Sequence, residues 1–204
     1  MDTALSVLNK GGIVLFPTDT IYGLGVDATN ADAVKRLREL KGRPAFAELR
    51  RGKAGKPISI MVSDMAMAEK YAVVTPLAKK LAEKFLPGKL TLVLEAKDTL
   101  SDEVTAGTGT VGIRIPNHPI TLQMVKDFGK PITATSANVS DMPTMNSVPE
   151  ILKQFGGAAS SIYGTGGEET LPDSLPSTVV DARGEKPIIL RTGAVTESDI
   201  HAAL

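Results

Sequence analysis

The chain has no cysteine and no tryptophan, only two histidines, and few aromatics (Phe 5, Tyr 3). Without thiols there can be no disulfide, no thiol nucleophile and no cysteine-based zinc or iron–sulfur site. The two histidines, His118 and His201, stand far apart with no ligand spacing, so neither a zinc site nor a Ser-His-Asp triad is expected, and the metal expectation is none. His118 precedes Pro119 near a helix start and reads as a loop or cap residue; His201 reads as surface. Formal net charge is zero, which argues against a surface devoted to nucleic acid, and the scarcity of aromatics argues against a base-stacking platform. No apolar run approaches a membrane span, and the opening Met1-Asp2-Thr3-Ala4 lacks the basic start and long apolar stretch of a signal peptide. No membrane association and a cytoplasmic location are therefore the expectations. G-x-x-x-x-G-K-[ST] and G-x-S-x-G are both missing. Gly107 to Gly112 spells G-x-G-x-x-G, but a polar loop precedes it and the strand-like Val111 to Ile115 follows, the reverse of a dinucleotide fingerprint.

What is present is a globular composition: 204 residues, 42% of them hydrophobic, enough for a substantial core. Apolar runs at 13–16, 58–62, 90–95, 111–115, 132–135, 160–163, 178–181 and 188–191 read as strands. Helical patterns fall at 2–10, at Asn30 to Leu40 with the stripe Ala33, Val34, Leu37 and Leu40, and at 65–71, 75–86, 120–128, 149–155 and 197–203. The interleaving predicts an α/β fold, a twisted mixed sheet with flanking helices, in a single domain spanning 1–204. Residues 41–56 and 164–177 read as the longest loops.

Polar groups gather at the strand ends. Pro17-Thr18-Asp19-Thr20-Ile21-Tyr22-Gly23-Leu24-Gly25 follows the first strand and reads as a sharp, pocket-lining turn closed by its two glycines. Lys35, Arg36, Arg38, Lys41, Arg43, Arg50, Arg51, Lys53 and Lys56 stand against Glu39 and Glu48 alone, a local balance of +7 that suits a small anionic ligand. Within it, Lys41-Gly42-Arg43-Pro44 offers a point charge and a fork to phosphate, or complements the helix dipole. Arg114 sits inside an apolar strand and needs a partner, either a protein carboxylate or a ligand's. Thr135-Ser136-Ala137-Asn138, Ser177-Thr178 and Leu190-Arg191-Thr192 repeat the pattern of polar groups punctuating apolar strands. Hydroxyls and cations without a general-base histidine suit binding of a phosphorylated, carboxylate-bearing ligand by positioning and electrostatics.

The series PTDTIYGLG, KGRP, KPISIMV, LPGKLTLVL, VGIRIPNHP, TATSANVS, STVVD and LRTGA, in this order over residues 10–195, resembles the YrdC/Sua5 family. The resemblance implies a YrdC-like single domain with an open basic cleft and no C-terminal Sua5 domain. It also implies L-threonylcarbamoyladenylate synthase activity, a nucleotidyl transfer that joins L-threonine, bicarbonate or CO2 and ATP into threonylcarbamoyl-AMP and pyrophosphate. Mg2+ accompanies ATP, and the product feeds the t6A37 modification of tRNA through a downstream threonylcarbamoyl transferase, with tRNA contact possible in principle. By motif, Thr18, Tyr22, Arg114 and Ser177 would meet threonine, Arg114 at its carboxylate. Lys41 and Arg43 would be the catalytic phosphate ligands, helped by Lys56; Thr110, Ser136, Asn138, Thr144 and Arg191 would complete the ATP site. Lys41, in a loop among cations, is expected to matter for turnover and little for stability. The sequence departs from the family in the longer basic connection 45–55, in Met61 where some relatives have histidine, and in Ser140-Asp141 where Ser-Gly is common. Asp tolerates the left-handed backbone that such a turn needs. An RNA-binding module without catalysis, and a carbamoyl-transfer relative with another acceptor, are the competing readings.

Overall fold

The computed structural model describes residues 2–44, 46–49, 55–165 and 170–204. In chain order the elements are α1 (Asp2–Asn9), β1 (Ile13–Phe16), β2 (Gly23–Gly25), α2 (Ala31–Leu40), α3 (Phe46–Leu49), β3 (Ser59–Met61), α4 (Met65–Tyr71), β4 (Ala72–Val73), α5 (Pro76–Phe85) and β5 (Leu90–Ala96). They continue with α6 (Asp102–Thr105), β6 (Thr110–Arg114), α7 (Pro119–Phe128), β7 (Ile132–Ser136), α8 (Val148–Phe155), a 3-10 turn (Gly156–Ser161), β8 (Ile162–Gly164), β9 (Thr178–Asp181), β10 (Ile188–Arg191) and α9 (Glu197–Ala202).

The ten strands form one mixed sheet in the order β10-β9-β5-β6-β3-β7-β2-β1-β8, with β4 branching from β5. The pairs β1–β8, β3–β6 and β5–β9 are parallel; the rest are antiparallel. Strand β1 is apolar and buried along its whole length, whereas β6 buries Val111 and Ile113 on one face and turns Thr110, Gly112 and Arg114 toward a cleft on the other. Leu92 and Ile113 face each other across β5 and β6 and are fully buried, each worth about 1.5–3 kcal/mol of apolar burial. Helix starts are capped by side chains: Asn30 accepts from the Ala33 N–H, Asp64 from Met67, Thr75 from Ala78, and Thr196 forms a reciprocal box with Asp199.

Three local readings change. Residues 23–25 are not a turn but strand β2, antiparallel to β1. The glycines serve close approach, since a Cβ on Gly23 would meet the Phe16 ring and one on Gly25 the Thr133 carbonyl. The loop assigned to 41–56 contains α3, and the polar stretch before β6 contains α6; each is four residues long, too short to show a periodicity. The buried face of α2 holds Ala33, Val34, Leu37 and Arg38, while Leu40 is only half-buried. Gly107 (φ 71°) and Gly109 (φ 68°) form a left-handed turn into β6, a glycine-rich turn entering a strand rather than a dinucleotide fingerprint opening a helix. Asp141 has φ 66°, the left-handed backbone expected of it.

Candidate active site

The PTDT segment is folded on itself by Thr18. Its Oγ1 accepts from the N–H groups of Thr20 (3.0 Å) and Ile21 (3.2 Å) and donates to the Ile21 carbonyl (2.7 Å). This local turn sets Asp19 and Thr20 toward Arg114 on β6. Arg114 Nη2 donates to Asp19 Oδ1 (2.8 Å) and Thr20 Oγ1 (2.9 Å), and Nε donates to the Gly88 carbonyl (3.2 Å). Both alternatives for Arg114 are thus partly true: it has a protein carboxylate, and it also lines a cleft. Burial pulls its pKa down and Asp19 opposes that shift.

At the other wall, α2 ends in a Schellman arrangement. Gly42 takes φ 68°; its N–H reaches Glu39 O (2.9 Å) and the Arg43 N–H reaches Arg38 O (2.8 Å). Only glycine adopts that conformation cheaply, so KGRP is a helix stop that turns Arg43 outward. Arg43 Nε donates to Ser140 Oγ (3.2 Å); burial lowers its pKa and Asp141 raises it. Across the sheet, Arg191 Nη2 donates to the Ser177 carbonyl (2.6 Å) and to Ser177 Oγ (3.2 Å), and Ser177 Oγ shares a hydrogen bond with Thr91 Oγ1 (2.9 Å). Desolvation also lowers the Arg191 pKa.

These walls enclose a cleft of about 550 Å³. Thr18, Tyr22, Arg43, Lys56, Thr110, Arg114, Ser136, Ser177 and Arg191 all line it, gathered from the strand ends of the sheet. A neighbouring cavity of about 570 Å³ shares Arg43, Lys56 and Ser136 with it and adds Asn138, Ser140 and Asp141. Among the sequence candidates, Thr144 is exposed and lines neither space.

Lys41 lines neither as well. It is fully buried, and Nζ donates to the Ser136 carbonyl, the Asn138 carbonyl (2.5 Å) and Asn138 Oδ1 (3.2 Å), while its own carbonyl accepts from the Ser140 N–H (3.1 Å). In this arrangement the Lys41 ammonium is engaged by protein oxygens and staples the 136–140 loop against the end of α2. Burial, and then Arg43, bring its pKa down to about 7. Asn138 is similarly engaged: Nδ2 donates to the Met142 carbonyl (2.5 Å), and Oδ1 accepts from Ser136 Oγ (2.6 Å). Arg50, Arg51 and Lys53 of the basic cluster lie outside the described residues.

Sequence reasoning put Asp19 and Thr20 in the pocket-lining turn and Arg38 in the basic cluster without giving them their roles as site builders, and it missed Thr91. Thr91 had a signal, a lone hydroxyl in an apolar strand. Arg38 had one too: it stands four residues after Val34 and thus on the same helix face. His118 is the residue before the first turn of α7 and His201 is exposed on α9; neither lines the cleft.

Guanidinium groups and hydroxyls thus converge on one cleft of the mixed sheet, a donor set that suits carboxylate and phosphate oxygens. The chain belongs to the Sua5/YciO/YrdC family, whose model, described as telomere recombination, matches residues 6–193. It is 37% identical over 203 residues to a Bacillus subtilis protein named threonylcarbamoyl-AMP synthase, covering 98% of this chain and 55% of that one. A Vibrio vulnificus protein of the same name is 32% identical, over 95% of this chain and 98% of its own length. The structure of Pyrococcus abyssi Sua5 complexed with L-threonine superimposes with a TM-score of 0.86 at 34% identity, over 99% of this chain and 56% of that chain. The chain thus spans a little over half the length of the Bacillus and Pyrococcus relatives. Among the described residues no helix is long and apolar enough to cross a membrane.

Proposed function

We propose that this chain is an L-threonylcarbamoyladenylate synthase, a nucleotidyl-transfer enzyme of the cytoplasm. L-threonine, bicarbonate or CO2 and ATP give threonylcarbamoyl-AMP and pyrophosphate, for transfer by a downstream enzyme to tRNA at the t6A37 position. One observation carries the reading: Arg114, held by Asp19 and Thr20, shares a single cleft with Arg43, Lys56 and Arg191. A carboxylate at Arg114 and a triphosphate along the other cations would lie within one space. The names of the relatives, and the L-threonine complex of Pyrococcus Sua5, support the same reading.

In this reading the threonine amine adds CO2 to form a carbamate. A carbamate oxygen then attacks the α-phosphorus, and pyrophosphate departs. Arg43 and Lys56 offset charge on the phosphates, and Arg191, fixed by Ser177, does so from the opposite side. Ser177 and Tyr22 border the threonine, Thr18 shapes the turn beneath it, and Thr110 and Ser136 face the nucleotide. Among the described residues lining the cleft there is no carboxylate pair to hold a cation, so Mg2+ would enter on the oxygens of ATP itself. Direct tRNA contact is not needed for this step, and nothing in the cleft favours the RNA-binding reading.

The test is pyrophosphate release from ATP and Mg2+, with threonine and bicarbonate present or omitted in turn. Release that requires both supports the synthase. Release without threonine, or none while ATP still binds, would transfer support to a relative with another acceptor or to a binding role.

A further inference from the structure

Arg38 is fully buried on α2, one turn before the Gly42 stop. Its guanidinium reaches three backbone carbonyls on three separate segments: Nε donates to Glu103 O (2.7 Å), Nη1 to Pro44 O (3.4 Å) and Nη2 to Lys56 O (3.2 Å). The Glu103 carboxylate lies 3.5 Å from Nε and accepts in turn from the Phe46 N–H (3.0 Å to Oε2, 3.2 Å to Oε1). One ion pair therefore ties α2, the start of α3, α6 and the residues on either side of the 45–55 connection.

We infer that Arg38 and Glu103 form a positioning pair that sets Arg43 and Lys56 at the phosphate end of the cleft. The inference rests on the proposed reading of those two cations as the triphosphate wall. Residues 43–44 and 55–56 carry no buried apolar side chain, and Lys56 is exposed, so apolar burial at these positions contributes little to fixing their distance from the sheet. A buried guanidinium with three carbonyl partners can, because each lost hydrogen bond leaves a buried group unsatisfied. Such an ion pair adds little net stability over apolar packing, and its contribution here is geometric. Phosphate affinity depends on cations held in place before the ligand arrives. Arg114 is held by Asp19, Thr20 and Gly88, none of which touches Arg38 or Glu103. Loosening the pair should therefore weaken one substrate and spare the other.

The experiment is calorimetric titration of the full chain with tripolyphosphate, Mg-ATP and L-threonine, alongside the KM for each substrate, for the unmodified protein, Arg38→Lys and Glu103→Gln. Thermal melting confirms that the variants are folded. Both variants are expected to weaken tripolyphosphate and ATP about tenfold, the equivalent of about 1.4 kcal/mol, with threonine moving less than about twofold. Equal shifts for threonine and ATP, or no shift in folded variants, would overturn the inference. If Arg38→Lys fails to fold, Glu103→Gln, which keeps the side-chain size and one acceptor for Phe46, carries the same comparison. Failure of both to fold would also overturn it, because the pair would then be holding the fold rather than aiming the site. An unmodified chain that binds tripolyphosphate but shows no threonine-dependent turnover defeats the synthase reading and leaves the positioning result standing. One that binds no phosphate at all defeats both.

Discussion

Lys41 shows how far a side chain's surroundings can redirect its chemistry. As the first cation of KGRP it invites a role on phosphate, yet its ammonium is spent on three oxygens of the 136–140 loop. Lys41→Ala should therefore lower stability by about 1–3 kcal/mol through the unsatisfied acceptors it leaves, in addition to disturbing the loop that presents Ser136. That reverses the expectation of a silent effect on stability. The titration of Lys41 gives a second handle. Its amine holds a proton up to about 10.5 in the unfolded chain and to about 7 in the folded one. Between those values the unfolded chain binds more protons, so the Lys41 contribution makes stability rise with pH from 7 to 10.5 and stay level below 7. Lys41→Met keeps the volume and removes the charge, and it should flatten the rise of melting temperature over that window. An unchanged slope would show that the group is not titrating there.

At the scale of elements, β2 is packed too closely against its neighbours to admit a side chain at its glycines. Gly25 lies where a Cβ would meet both the Thr133 carbonyl and the Phe16 ring, so Gly25→Ala should destabilise by about 1–3 kcal/mol through forced separation of β2 from β7 and β1. Denaturant unfolding with an unchanged midpoint would refute that account. The same close packing explains what the sequence concealed. Strands β1, β6, β9 and β10 announce themselves as apolar runs bounded by turn residues. Gly-Leu-Gly carries no such run, and its glycines look identical whether they permit a turn or a close strand contact. Helices α3 and α6 and strand β4, at four, four and two residues, are shorter than any period that could reveal them. The inward face of α2 was legible at Ala33, Val34 and Leu37; Arg38 and Lys41 continue that stripe but are charges that residue type alone assigns to solvent.

For the whole molecule, the cleft is assembled from distant sequence. Thr18 comes from the turn after β1, Arg114 from β6, Ser136 from β7, and Ser177 and Arg191 from the end of the chain's sheet. Each strand-end cluster could be read locally as polar and chemically apt. Their convergence could not, because it depends on pairings such as Ile13 with Ile162 and Leu90 with Thr178, which no local pattern encodes. The order of motifs shared with a known family supplied that part of the picture. The placement of Lys41 and Thr144 outside the cleft needed the fold itself.

Those same parallel pairings have a kinetic meaning. Loops of this size close slowly, because their entropy is spent before any contact compensates. The hairpin of β5 with β6 and the capped helices can form early, but the walls carrying Ser177 and Arg191 arrive only when β9 docks beside β5. Stopped-flow refolding should show helical signal recovering before a bound fluorescent ATP analogue reports the cleft, and simultaneous recovery would argue against this order. A chain in which β9 has not docked would lack the wall carrying Ser177 and Arg191, so under the proposed reading ligand would favour molecules in which that wall has already formed.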